Sequence, residues 1–229
     1  MTTSFKKIKA RAVQRKGGEA ALNSILMHPK QKDAIKKIPD DRWLSEMTRC
    51  IFQAGFNWKV VDSMWDGFEA AFEGFDPHRW RMMSDDDLDR LVNDKRIVRY
   101  GAKIKSVQEN AQFVLELAEE HGSAGAFFAN WPSTEFVDLL ELLKKRGTRL
   151  GGQTAQYFLR NMGVDGFILS KDGVAALIDA GIVDKSPTSK SAMRAVQAAY
   201  NDWMEESGLS LTEISRVLSN SIGGNNVDT

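Results

Sequence analysis

The chain has 229 residues, 42% hydrophobic and 27% charged, with Lys+Arg and Asp+Glu balanced at 31 each. Enough apolar material is present for a core without a metal or disulfide staple, and the zero total excludes a wholly basic nucleic-acid coat while leaving local patches open. A single cysteine rules out an intrachain disulfide. His28, His78 and His121 stand far apart, and none lies at a zinc-ligand spacing from Cys50, so no metal and no cofactor is expected.

Strand signals are nearly absent, and helical periodicity runs through the chain. Residues 1–38 read as a basic extension, with six basic residues over 4–16 in a helix or a loose arm. It holds no apolar run of signal-peptide length, and no later run spans a membrane, so a cytoplasmic protein without a membrane partner is expected. Pro39-Asp40-Asp41 is a helix start, followed by Trp43, Met47, Cys50 and Ile51 at spacings of three and four. The pattern stops at Gln53-Ala54-Gly55, and Phe56 and Trp58 follow at once. That is either a core joint or a surface built to hold something flat.

Val61, Met64, Trp65, Phe68, Ala71, Phe72 and Phe75 predict one amphipathic helix from Trp58 to Phe75. Ser84 caps a short acidic helix through Leu88 and Leu91. A longer helix covers 101–120 and breaks at His121-Gly122. Pro132-Ser133-Thr134 starts a helix from Phe136 to Lys145, and Gly151-Gly152 opens the next, which ends at Gly163. Ser170 caps a helix to Ala180. Residues 187–206 and 210–221 give the last two, before a tail over 222–229 predicted to be disordered. Roughly ten helices with short links make an all-α fold.

One joint carries more than packing. A helix ends in Lys144, Lys145 and Arg146; then come Gly147, Arg149 and Gly151-Gly152, and a new helix runs through Thr154. Glycines let a ligand approach the backbone, and the free N–H groups of a helix start form an anion site. This is the physics of a helix-hairpin-helix unit gripping a DNA phosphate. The plainer reading is a helix joint with solvated lysines.

Three blocks then carry a family resemblance. Gln53–Trp58 resembles the Gln-Ala-Gly-Leu-Ser-Trp of the bacterial DNA-3-methyladenine glycosylase I family, within the helix-hairpin-helix glycosylase superfamily. Phe75–Ile104 is similar to that family's Phe-Asp-Pro stretch, its acidic Leu-Val helix and its segment ending in Lys-Ile. Leu143–Gly163 is similar to its Lys-Lys-Arg-Gly-Phe-Lys-Phe-Val-Gly segment and the aromatic helix that follows. The resemblance covers roughly Trp43 to Val183.

The resemblance implies a helix-hairpin-helix DNA glycosylase-like fold over 39–221, two helical lobes around a cleft, with the hairpin at about 144–163. It implies a monomer that excises an alkylated purine, 3-methyladenine-like, from double-stranded DNA in base excision repair. The base would be flipped and stacked on Trp58, whose indole suits a positively charged purine. Gln53, Cys50 and Phe56 would complete the base site, Phe56 by entering the gap left in the stack. Gly147, Arg149, Gly151, Gly152, Thr154 and Lys103 would hold phosphates. Asp172, next to Lys171, falls near the place of the superfamily's catalytic aspartate.

The departures are as definite. The family's Tyr-His-Asp-Asn-Glu-Trp-Gly stretch and its zinc ligands have no counterpart. Cys50 stands where the family has its pocket glutamate, three residues before Gln53. Glu46, one turn earlier on the same face, is a substitute carboxylate. Two alternatives follow: a lesion-binding protein that has lost catalysis on the same scaffold, or a glycosylase for a different base that uses Asp172.

Overall fold

Capping residues and glycines set the helix limits in the computed structural model, which describes residues 3–223. In chain order the helices are α1 (Phe5–Lys16), α2 (Glu19–Asn23), α3 (Lys32–Lys36), α4 (Asp40–Gln53), α5 (Trp58–Ser63), α6 (Trp65–Ala71), α7 (Pro77–Trp80) and α8 (Asp85–Asn93). They continue as α9 (Gly101–His121), α10 (Ala124–Asn130), α11 (Phe136–Arg146), α12 (Gln153–Met162), α13 (Lys171–Asp179), α14 (Lys190–Ser207) and α15 (Leu211–Ser221). The described residues contain no strand, and none of their helices is long and apolar enough to cross a membrane. The fold is all-α. The tail over 222–229 lies outside the described residues apart from Ile222 and Gly223.

Residues 58–75, read as one helix, form three pieces: α5, α6 and a 3-10 turn at Glu73–Phe75. Met64, at φ −97° and ψ 0°, separates the first two, and Gly74 takes φ 76° in the last. Helical spacing survives the breaks because the rings still stack, Trp65 on Phe68 at 4.9 Å and on Phe75 at 5.7 Å. The helices of four to seven residues escape a periodicity reading, since so short a run shows at most two turns.

The chain divides into two compact units. One takes residues up to Pro29, Pro132–Val137 and Asp165 onward. Here α1 and α13 both pack on α15. Phe167 stacks on Tyr200 at 4.4 Å, and Tyr200 meets Trp203 at 5.5 Å. Gly166 permits this packing, because a Cβ there would lie 2.2 Å from the Phe136 ring. The basic stretch of α1 is tied in by Arg11 to Asp179 at 2.6 Å and Lys9 to Glu19 at 2.7 Å.

The other unit takes Lys30–Trp131 and Asp138–Val164. Its centre is α4, against which α9 and α12 pack. Trp43 is fully buried, stacked on Phe128 at 4.5 Å with the Phe158 ring at 5.9 Å. Each such ring contributes about 1.5–3 kcal/mol by leaving water. Asp40, at the start of α4, accepts the Ala124 N–H of α10 at 2.9 Å.

The start of α8 is a capping box. Ser84 accepts the Asp87 N–H, and Asp87 returns the bond to the Ser84 N–H at 3.0 Å. Arg79 also donates to this carboxylate at 3.0 Å. The Arg79 hydrogen bond, with those from Ser84, holds Asp87 well below the usual carboxylate range. A carboxylate lowered in the folded state adds stability that is complete above its unfolded pKa of about 4 and is lost as pH falls through the folded value. Asp87→Asn is therefore expected to flatten the loss of stability between about pH 4 and pH 2. Urea unfolding of both proteins across that range checks it, and parallel curves would contradict it.

Candidate functional site

The bend after α4 is a type II turn. The Gln53 carbonyl accepts the Phe56 N–H at 3.1 Å, Ala54 lies at φ −62° and ψ 114°, and Gly55 lies at φ 77°. The third position of this turn needs positive φ, which is why glycine stands there. Asn57 then caps α5, its side chain accepting the Lys59 N–H at 3.0 Å. Trp58 is thereby the first residue of a helix.

Lys103 of α9 fixes the turn. Its Nζ donates to the carbonyls of Ala54 at 2.6 Å and Phe52 at 3.2 Å, groups that the end of α4 leaves without helical partners. Expected among the phosphate contacts, Lys103 is instead turned inward, 6% exposed, with Nζ 4.5 Å from the Phe56 ring centroid. Burial, and then the charge of Arg149, lower its pKa from the ordinary lysine value. Gln53 also serves the bend: its Nε2 donates to Asp62 at 2.8 Å, and Arg49 donates to the same oxygen. The Gln53 Oε1 is buried without a partner.

So held, every residue from Ala54 to Val60 is exposed. Phe56 is 42% and Trp58 43% exposed, so the two aromatics belong to the surface and not to the core. Trp58 meets Tyr157 of α12 edge to face, centroids 4.8 Å apart. Tyr157 is absent from the sequence reading because nothing but the fold brings α12 beside the bend. Asn161, one turn further along α12, donates to Glu46 at 2.7 Å and reaches the Cys50 Sγ at 3.7 Å. Cys50 is buried, and its thiol donates to Glu46 at 3.5 Å. Burial, with the neighbouring Glu46 carboxylate, raises the thiol pKa so far that it stays protonated. A carboxylate from one turn earlier is thus held beside Cys50, and it is bound by Asn161 of the helix that also carries Tyr157.

The hairpin between α11 and α12 is fixed from α9. Asn110, fully buried, accepts the Thr148 N–H at 2.9 Å and donates to the Thr148 carbonyl at 3.1 Å. Thr148 also donates to Glu109. A Cβ at Gly147 would lie 2.6 Å from Leu150, itself fully buried. Arg149 is held at φ 61°, and Gly152 at φ 58° and ψ −134°. Gly152 is the N-cap of α12 and brings no side-chain cap; Gly151 precedes it, and Thr154 is half-buried in the first turn. Lys144, Lys145 and Arg149 are exposed. Arg146 is not available in the same way, being paired with Glu120 at 2.7 Å and Glu116 at 3.2 Å. The bend and the hairpin approach each other at Tyr100, which has Phe56 at 6.3 Å and the Arg149 guanidinium at 6.0 Å.

Asp172 belongs to the other unit. It is exposed in the first turn of α13, behind the Ser170 cap, which accepts the Gly173 N–H at 3.1 Å.

The methyladenine glycosylase family model matches residues 35–138, a segment that contains the bend and α9 and ends before the hairpin. DNA-3-methyladenine glycosylase 1 of Escherichia coli is 32% identical over 124 residues, covering 46% of this chain and 66% of that protein. The DNA-3-methyladenine glycosylase of Haemophilus influenzae is 28% identical over 131 residues, covering 49% and 71%. The chain thus spans 66% and 71% of the length of these relatives. In structure, the 8-oxoguanine DNA glycosylase of Methanocaldococcus jannaschii matches with a TM-score of 0.56 at 16% identity, covering 92% of this chain and 89% of that one. That likeness shows the fold to be an all-α glycosylase fold.

Lys103→Met keeps the buried stem and removes the two bonds to the bend. It is expected to lower stability by about 2 kcal/mol, the usual cost of losing hydrogen bonds to a charged group. The shift should appear as a lower denaturation midpoint at unchanged m-value; an unchanged midpoint would show that the bend holds without Lys103.

Proposed function

The chain belongs to the DNA-3-methyladenine glycosylase I family, and on that premise we propose that it hydrolyses the N-glycosidic bond of an alkylated, 3-methyladenine-like purine in double-stranded DNA. The observation that supports this best is the Trp58 ring, 43% exposed on a tightly held bend and backed by Tyr157. A base cannot be reached inside the duplex, so it must be turned out and held by a flat partner. Indole binds a cationic ring by about 0.5–2 kcal/mol. Alkylation itself weakens the bond to the sugar: water adds to C1′, the purine leaves as a neutral base, and a proton passes to solvent. Little acid–base equipment is then required.

The Glu46 carboxylate supplies the negative charge for such a base, taking over at Cys50 the place of the family's glutamate. The uncapped start of α12, with Gly147, Arg149, Gly151, Gly152 and Thr154, receives a phosphate through backbone N–H groups, and Lys144 and Lys145 add charge that carries no sequence preference. Lys103 acts on the bend and not on DNA. Asp172 is proposed to stabilise the positive charge that develops on the sugar, and Asp172→Asn tests that assignment by itself. The second reading, lesion binding without catalysis, draws its support from Cys50 at the glutamate position.

Base release from methylated duplex DNA separates these readings. Wild type is expected to release 3-methyladenine, and Trp58→Ala to lower the rate about tenfold or more, the range of one lost base–aromatic stack. Salt-dependent binding without release would favour the lesion-binding protein. Absence of salt-dependent binding would contradict both.

A further inference from the structure

Stacking on Trp58 leaves two other exposed aromatics unused, Phe56 and Tyr100, 42% and 44% exposed. They come from the type II turn and from the residue before α9, and their rings meet at 80°. Two cations flank them. Lys103 Nζ lies 4.5 Å from the Phe56 ring and 5.7 Å from the Tyr100 ring, and the Arg149 guanidinium lies 6.0 Å from the Tyr100 ring. The Tyr100 hydroxyl makes no hydrogen bond among the described residues. Three elements distant in sequence thus place two rings, a free hydroxyl and an exposed guanidinium together. An apolar ring beside a guanidinium suits a polyanion with flat apolar interior faces, which is duplex DNA opened at one step.

The angle between the rings assigns them different tasks. Bases in a duplex are parallel, so two rings at 80° cannot both lie flat in one stack. With Phe56 flat in the gap left by a displaced nucleotide, Tyr100 stands upright to the bases, its edge and hydroxyl toward their hydrogen-bonding edges. We propose that Tyr100 reads the base left unpaired on the opposite strand, while Phe56 fills the gap and Arg149 meets an adjacent phosphate. This rests on the DNA glycosylase reading above. A phenol can donate to a carbonyl, so thymine, with two carbonyl acceptors and the ordinary partner of adenine, is the favoured opposite base.

Fluorescence anisotropy on five duplexes tests this: one undamaged, and four carrying a tetrahydrofuran abasic analogue opposite A, C, G or T. Wild type is expected to bind the four abasic duplexes with a spread of about fivefold, thymine tightest, as one neutral hydrogen bond allows. Tyr100→Phe keeps the ring and should collapse the spread to less than about twofold. Phe56→Ala should weaken all four about tenfold, toward the undamaged duplex, as expected for a lost stacking contact. A flat wild-type profile, or one that Tyr100→Phe leaves unchanged, overturns the proposal. Failure of the DNA-binding reading on which this rests looks different: wild type would then show no salt-dependent affinity for any duplex, the undamaged one included.

Discussion

One buried ammonium holds the region on which the functional reading depends. A helix that ends at Gln53 leaves carbonyls without partners, and a helix end of that kind must be satisfied or frays. Lys103 takes two of them, on Phe52 and Ala54, from a helix fifty residues away in sequence. Burying a cation is costly unless it is fully bonded, and the lowered pKa records that cost. What the arrangement secures is a hydrogen-bonded turn whose next residues are all exposed, with Phe56 and Trp58 on the surface. Asn110 performs the matching task for the hairpin, from two turns further along α9. One helix therefore sets both the aromatic bend and the glycine corner, and Tyr100 at its start lies between them.

The departure at Cys50 has a local answer. A buried thiol that stays protonated is a weak donor, and here it donates to Glu46, which Asn161 also binds. The carboxylate beside Cys50 thus comes from Glu46, one helical turn earlier, and α12 supplies the residue that steadies it.

Much of this was legible in the residues themselves. The cap at Ser84, the proline start of α4 and the glycine stop at Gly163 are local signals, and the helices they bound lie where the pattern puts them. The broken helix over 58–75 was not legible, since ring stacking preserves the apolar spacing through a kink that periodicity cannot detect. The exposure of Trp58 followed from the resemblance and not from the stretch alone, where aromatics at a joint more often mean core. Lys103 was misplaced among the phosphate contacts for a related reason. A lysine in a basic run reads as solvated, and its carbonyl partners lie fifty residues away, in a turn whose type becomes clear once φ at Gly55 is known. Tyr157 and Asn161 were missed because their role exists only when α12 packs on α4.

The most direct test is whether Trp58 receives the base. Protein labelled with 5-fluorotryptophan, its six indole signals assigned with single Trp→Phe variants, can be titrated with free 3-methyladenine and followed by 19F NMR. The Trp58 signal should move saturably and further than the other five, and the Lys103→Met protein should lose that response. A Trp58 signal that stays in place while another indole moves would contradict the assignment of this bend as the base site.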